Sequence, residues 1–174
     1  MRSRTVSRSA VRILLITFFL ILVVAPAACS ESESESGTSV SLAVDRDIKQ
    51  GDTFSVEVRI STEVACRGAQ FELTFDPALM KCDGVAEGSF FKDWAGDNGG
   101  STIMVPATID NDEGYVSGMG IAVIGAGSEG AKGSGALCSY HFTALADGTA
   151  SPTLSGVVVS DVTGTAIPEV EVKN

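Results

Sequence analysis

Apolar and polar residues alternate strictly along two stretches of this sequence. The first covers residues 54–61, and the second covers residues 69–75 and ends at Asp76-Pro77. Successive side chains of a β-strand point to opposite faces of a sheet, so each stretch has one buried face and one solvent-exposed face. This pattern predicts antiparallel sheets that bury one side against a core.

Similar short runs recur about every ten residues from Thr38 onward, and Gly, Asp, Asn and Pro separate them. No window of eleven residues keeps a helical period, so the pattern predicts an all-β chain. Further strands are expected near residues 40–44, 80–85, 102–109, 115–123, 138–144, 153–160 and 168–172. About nine strands, each with one solvent-exposed face, predict a two-sheet antiparallel β-sandwich of jelly-roll type.

The N-terminus has the composition of a secretory signal peptide. Four arginines within residues 1–12 precede an apolar run from Ile13 to Val24, and small residues follow that run. We therefore assign residues 1–28 to a signal peptide. A retained anchor helix is the alternative, although the run is short for a membrane span.

Cys29 follows Ala27-Ala28, as in the lipidation site of bacterial lipoproteins. Ala25-Pro26-Ala27 also fits ordinary signal cleavage, so both routes remain open. Residues 29–37 are rich in Ser and Glu and lack apolar residues after Cys29, which predicts a disordered tether. The sequence thus predicts an exported protein of the cell surface or extracellular space, tethered to the membrane through lipid, with one domain over residues 38–174.

Charge narrows the range of partners. Removal of residues 1–28 takes the formal charge from −10 to −14, because it removes four arginines and no acid. Such an acidic chain is not expected to bind nucleic acid. It favours a partner with a basic patch, without specifying one.

Three cysteines remain if Cys29 carries lipid. Cys66 and Cys82 flank the second alternating strand and its Asp-Pro turn, so we predict a disulfide between them. Cys138 shares its parity with Tyr140 and is expected to be a buried free thiol. No spacing of Cys and His favours a metal site.

Several segments in order resemble the cohesin domain: Gly51-Asp52-Thr53-Phe54, the strand Gln70–Pro77, Gly88-Ser89-Phe90, residues 133–144 and residues 154–161. The resemblance runs from about Val40 to Val172. It implies a non-catalytic extracellular module, monomeric and free of cofactors, that recruits a dockerin-bearing protein, with calcium belonging to the dockerin. Cohesins are also similar in fold to a class of cellulose-binding modules, which links them to polysaccharide binding and degradation.

In the family, dockerin docks on one flat sheet face. Carried over by position, the resemblance places the partner-binding residues at Gln70, Glu72, Thr74, Tyr115, Ser117 and Met119. Type I cohesins often carry Asn and Asp where this chain has Gly68 and Gln70, so the dockerin type is left open. A solvated sheet face without a partner is the alternative for these residues.

Three further features have two interpretations each. Trp94 could stack on a sugar ring or, with Phe90 and Phe91, plug one end of the sandwich. Asp110–Gly114 resembles part of a calcium loop but also suits a hairpin turn. The single histidine, His141, lies in a strand, and no catalytic constellation is evident. The classes left open are a dockerin-recruiting module, a carbohydrate-binding lipoprotein that binds cell-surface polysaccharide, and a structural surface domain with neither partner.

Overall fold

The computed structural model describes residues 37–42 and 46–174, which form eleven strands and one helix. The strands are β1 Thr38–Leu42, β2 Arg46–Ile48, β3 Thr53–Thr74, β4 Met80–Glu87, β5 Ser101–Val105, β6 Thr108–Asp110, β7 Tyr115–Ile124, β8 Ala131–Ala144, β9 Gly148–Ala150, β10 Thr153–Asp161 and β11 Glu171–Lys173, and the helix is α1 Ser89–Asp97. The predicted signal peptide, Cys29 and the predicted tether up to residue 36 lie outside the described residues.

Strand β3 organises the domain. It is one continuous strand of 22 residues, although the sequence predicts two separate strands over this region. Its N-terminal half pairs with β1 and β8, and its C-terminal half pairs with β7 and β10. The strand therefore belongs to both layers of the fold.

The first sheet has the order β4-β8-β3-β1-β11, and the second has the order β5-β7-β3-β10, with β6 also paired to β7. All of these pairs are antiparallel except β1 with β11, which is parallel. Strands β2 and β9 form a separate two-stranded antiparallel sheet. The predicted two-sheet β-sandwich is confirmed.

The core lies where the inward faces of the two sheets meet. Val56, Val58 and Ile60 of the first half of β3 are buried, as are Phe71 and Leu73 of the second half. Their outward neighbours are polar, so the alternation in the sequence predicts correctly which side of each half is buried.

Aromatic rings fill the centre of this core. The ring of Phe142 stacks on that of Phe54 at 5.6 Å and meets that of Phe75 edge-on at 5.3 Å between centroids. Both arrangements are favourable for aromatic pairs and add to the burial of the rings.

Helix α1 is the element that the periodicity does not predict. It has nine residues, so it is shorter than the eleven-residue window in which a helical period becomes visible. Phe90, Phe91 and Ala95 are buried, and the two phenylalanine rings meet at 5.0 Å between centroids. These residues belong to the hydrophobic core, as the plug interpretation requires.

The segment Asp110–Gly114 is a hairpin turn between β6 and β7. A carboxylate oxygen of Asp110 accepts hydrogen bonds from the backbone N–H groups of Asp112 and Glu113 at 3.1 and 3.0 Å. Gly114 has φ +69°, a conformation that glycine adopts without strain. The hairpin interpretation is confirmed, and no cluster of metal ligands occurs among the residues that the structure describes.

Candidate functional site

The outer face of the second sheet is the candidate site, and two rows of paired residues cross it. Each row takes one outward residue from β10, β3, β7 and β5 in turn. The first row is Ser160, Gly68, Ala122 and Ile103, and the second is Val158, Gln70, Gly120 and Val105. We call this surface the docking face and extend it along β3 to Glu72 and Thr74.

Most of the residues predicted for partner binding lie on the docking face. Gln70 and Thr74 are exposed and Glu72 is half-buried on β3, and Tyr115 and Ser117 are half-buried on β7. Thr74 faces Thr153 of β10, and their hydroxyl oxygens are 2.7 Å apart. The structure therefore brings together the residues carried over for the two strands.

Met119 is an exception, because the prediction that its side chain lies on the partner-binding face is wrong. Only 1% of its surface is exposed, because it points into the core. The pairing of β3 with β7 shifts between Phe71 and Leu73, where β7 has one residue more than β3 and forms a bulge. Gly118 has φ +71° at this bulge, and the side chains beyond it change face. Gly120 consequently takes the outward position that the sequence assigns to Met119.

The sequence does not single out the apolar part of the docking face. Ile103 and Val105 are each 52% exposed on β5, and Ile124 is 44% exposed at the end of β7. Strand β5 has apolar residues on both sides, so its alternation gives no orientation. The signal that could have revealed these residues is the absence of charge along the whole of β5.

Charge is nearly absent from the docking face. Among the residues paired across the rows of Gly68, Gln70 and Glu72, only Glu72 is charged. The hydroxyl of Tyr115 donates a hydrogen bond to the carboxylate of Glu72, which raises the pKa of Tyr115. The polar groups thus gather at the Glu72 end and the aliphatic groups at the Ile103 end.

A shallow groove runs along this face. It has a volume of about 320 Å³, and its lining includes Gln70, Glu72, Val105, Gly120 and Gly156. A second depression of about 310 Å³ adjoins it and shares Gln70, Val105 and Gly120. Both are open; the lining of the first is evenly polar and apolar, and that of the second is more apolar, which suits contact with another surface better than enclosure of a small molecule.

Trp94 is poorly placed to stack on a sugar. It lies on helix α1, it is half-buried, and it packs against the hydrophobic core. The guanidinium of Arg67 lies over its ring, 6.0 Å from the centroid, a distance at which cations are attracted to the face of an indole. Arg67 is itself held by the backbone carbonyls of Ala126, Gly127 and Glu129. Trp94 therefore has the contacts of a packing residue.

The predicted disulfide between Cys66 and Cys82 is wrong. Both cysteines are buried free thiols, as is Cys138. Cys66 pairs with Ala131 at one end of β8, and Cys82 pairs with Phe142 near the other end. Eleven residues of extended strand separate these positions, a length of roughly 30 Å or more, whereas a disulfide joins Cα atoms about 6 Å apart. Proximity in sequence is misleading here because the long strand β3 carries Cys66 away from Cys82.

Burial makes these thiols weak acids. It raises the pKa of Cys66 to about 12, and it also raises those of Cys82 and Cys138. A thiol without access to solvent or thiolate character is neither a nucleophile nor a metal ligand. The prediction that Cys138 is a buried free thiol is confirmed.

The single histidine lies on the opposite side of the molecule. A ring nitrogen of His141, Nδ1, is 2.8 Å from the hydroxyl oxygen of Ser55 on the outer face of the first sheet. Both side chains are exposed on a flat sheet. Solvent reaches both side chains, whereas enclosure is what lets fixed dipoles stabilise a transition state.

The comparisons with known proteins agree with the geometry of the fold. A family model described as the cohesin domain matches residues 38–173. No curated protein matches the chain. In the described part of the chain, no helix combines the length and hydropathy that crossing a membrane requires.

Solved structures resemble the domain at low sequence identity. A non-cellulosomal cohesin from the archaeon Archaeoglobus fulgidus is 19% identical, with 79% of this chain and 87% of that chain covered and a TM-score of 0.59. The second type II cohesin module of the ScaA scaffoldin from Acetivibrio cellulolyticus is 14% identical, with 79% and 86% covered and a TM-score of 0.65. A type II cohesin–X-dockerin complex from the same organism has 14% identity, 79% and 96% coverage and a TM-score of 0.64.

Proposed function

The chain belongs to the cohesin family, and we propose that it recruits a dockerin-bearing protein through the docking face. Cohesin modules are non-catalytic binding domains, so the question is which surface binds and what it holds. The partner occupies the outer face of the second sheet and contacts Gln70, Glu72 and Thr74 on β3. Tyr115 and Ser117 extend the contact onto β7.

One observation supports this choice of surface most strongly. Two aliphatic side chains, Ile103 and Val105, are each about half exposed on a sheet face that carries a single charged residue. The centres of protein interfaces are depleted of charge, whereas the solvated surface of an acidic protein is not. A face of this kind gains stability when a partner covers it.

The proposal includes a cellular location for the module. Lipidation at Cys29 and the tether of residues 29–37 hold it at the cell surface, where the protein acts as a monomer. A single module attaches a single partner, and the partner supplies the activity, which we place in polysaccharide binding or degradation. Calcium belongs to the dockerin, and the cohesin itself needs no cofactor.

A capture experiment tests this function. The purified protein is immobilised and exposed to the secreted and surface proteins of the same cell, first with calcium and then with a chelator. We expect a dockerin-bearing protein to be retained with calcium and released by the chelator. The proposal fails if no dockerin is retained. Retention on cellulose or another glycan without any protein would instead assign a carbohydrate-binding function.

A further inference from the structure

Gly120 lies at the centre of the docking face, and the fold does not require glycine at this position. A Cβ atom built on it would lie 3.8 Å or more from every neighbour, including Gln70 and Val105, which is ordinary contact. Its φ is not in the left-handed region, whereas those of Gly118 and Gly156 are +71° and +58°. Alanine or a larger residue would therefore fit the backbone at position 120.

Because Gly120 has no side chain, the surface of the docking face is low at this position. Gly120 forms the floor that the groove and the adjoining depression share, between Val105 on β5 and Gln70 on β3. Across the next row, Gly68 and Ala122 continue this low floor beside Ile103. A branched aliphatic side chain from a partner can lie over Gly120 and contact Val105 without displacing anything.

The polar end of the groove has a defined charge. Glu72 follows Gln70 by two residues on β3, a distance of about 7 Å along the strand. Its carboxylate accepts a hydrogen bond from Tyr115, and an ionised carboxylate has room for further donors. No cation from this chain pairs with it in any of the ion pairs that the structure describes. A lysine or arginine of the partner is the complementary group.

Resting on the proposed function, we propose that the dockerin is selected by two groups: an aliphatic side chain over Gly120 and a basic side chain at Glu72. Gly120 pairs with Gln70, so Glu72 is its diagonal neighbour across the two strands, about 7–8 Å away. Residues i and i+4 on one face of a helix lie about 5–6 Å apart, and a long basic side chain spans the difference. A partner with a polar residue at the first position or an acid at the second would leave a desolvated polar group or two like charges in contact.

A selection experiment reads this preference directly. The probe is a phage-displayed library of dockerin modules with varied residues on their helix surfaces, selected in calcium against the purified protein. The same library is selected against Gly120→Leu, which fills the groove, and Glu72→Lys, which reverses its charge. Gly84→Leu is the matched control, because Gly84 is an unconstrained glycine on β4 of the first sheet. Circular dichroism and thermal unfolding confirm that each variant folds.

We expect binders of the unmodified protein and of Gly84→Leu to be enriched in an aliphatic residue one turn from a basic residue. Glu72→Lys should lose the enrichment of the basic residue. Gly120→Leu should weaken the selected binders by about tenfold or more, since a leucine side chain occupies the groove beside Val105 that the partner's aliphatic residue would fill.

Two outcomes would overturn the inference, and they are distinguishable. If no dockerin binds the unmodified protein, the proposed function fails and the inference fails with it. If dockerins bind and Gly120→Leu and Glu72→Lys select the same sequences with the same affinity, the function stands and the assigned specificity is wrong.

Discussion

The two halves of β3 share one strand but present different outer faces. Around the first half, Glu57 pairs with Arg59 at 2.8 Å, and on β4 Lys81 pairs with Asp83 at 3.0 Å, so the outer face of the first sheet carries two pairs of opposite charge. Around the second half, the outer rows carry one charge and exposed aliphatic residues. The inner faces of both halves are equally apolar and buried.

The buried inner faces are required for folding, whereas the composition of the second outer face is not. A sandwich needs each half of β3 to bury one side, and both halves do so. It does not need Ile103 and Val105 to be exposed, or Glu72 to be absent from the ion pairs of the described residues. We therefore attribute the composition of the second outer face to a partner, whereas that of the first outer face is typical of solvated surface.

The largest expected effect concerns Cys66, at the point where β3 passes from one half to the other. A thiol with a pKa of about 12 is almost wholly protonated at pH 8, so alkylation in the folded protein should be at least about a thousandfold slower than that of an exposed cysteine. Iodoacetamide labelling with mass spectrometry measures this. Full labelling of Cys66, Cys82 and Cys138 in urea without reductant is the control for free thiols. A bridge between any two of them would contradict the structure.

Two double variants test whether the two halves of β3 differ in dockerin binding. Gln70→Arg with Glu72→Arg should weaken dockerin binding at least about a hundredfold, because two desolvated cations replace neutral and acidic groups at the centre of the interface. Ser55→Arg with Glu57→Arg places the same groups two residues apart on the first half of β3. Calorimetric titration should show unchanged affinity for this second variant. Equal losses in both would remove the distinction between the faces.

A smaller effect separates two glycines of β7. Gly118→Ala should lower the free energy of unfolding by about 1–2 kcal/mol, since alanine is strained at φ +71°. Gly120→Ala should leave it unchanged or raise it by up to about 1 kcal/mol, because alanine fits there and restricts the unfolded chain. Urea unfolding measures both. Equal destabilisation would mean that Gly120 is a requirement of the fold.

The smallest expected effect is that of Arg59→Ala. This residue and its partner Glu57 are each about half exposed, and ion pairs at such positions are screened by solvent. The free energy of unfolding should change by less than about 0.5 kcal/mol, and dockerin affinity should not change. A loss of affinity in titration would extend the interface onto the first sheet.

Much of the fold could be predicted from the sequence because period-two alternation reports directly which side of a strand is buried. It places Phe71 and Leu73 in the core and Gln70 and Glu72 outside, as observed. It cannot show that two alternating stretches form one continuous strand, since the residues between them are mixed in polarity. The predicted disulfide fails for this reason, because the position of Cys66 relative to Cys82 depends on the path of β3.

The orientation of residues on the candidate site was predicted less well, for one local reason and one long-range reason. The bulge at Gly118 changes the face of Met119, and a bulge inserts one residue without altering composition. The orientation of Ile103 and Val105 depends on their pairing with Ala122 and Gly120, which is a long-range fact. The outward orientation of Gln70 on β3 follows from alternation alone, since no register shift intervenes between Gly68 and Phe71.

Hydroxyl-radical footprinting of the protein with and without bound dockerin tests the central claim most directly, because it reports the exposure of individual side chains on both sheets at once. We expect protection of Ile103, Val105 and Gln70 in the complex and no change at His141 and Lys81. Protection of His141 and Lys81 with Ile103 and Val105 still exposed would place the partner on the first sheet and contradict the account.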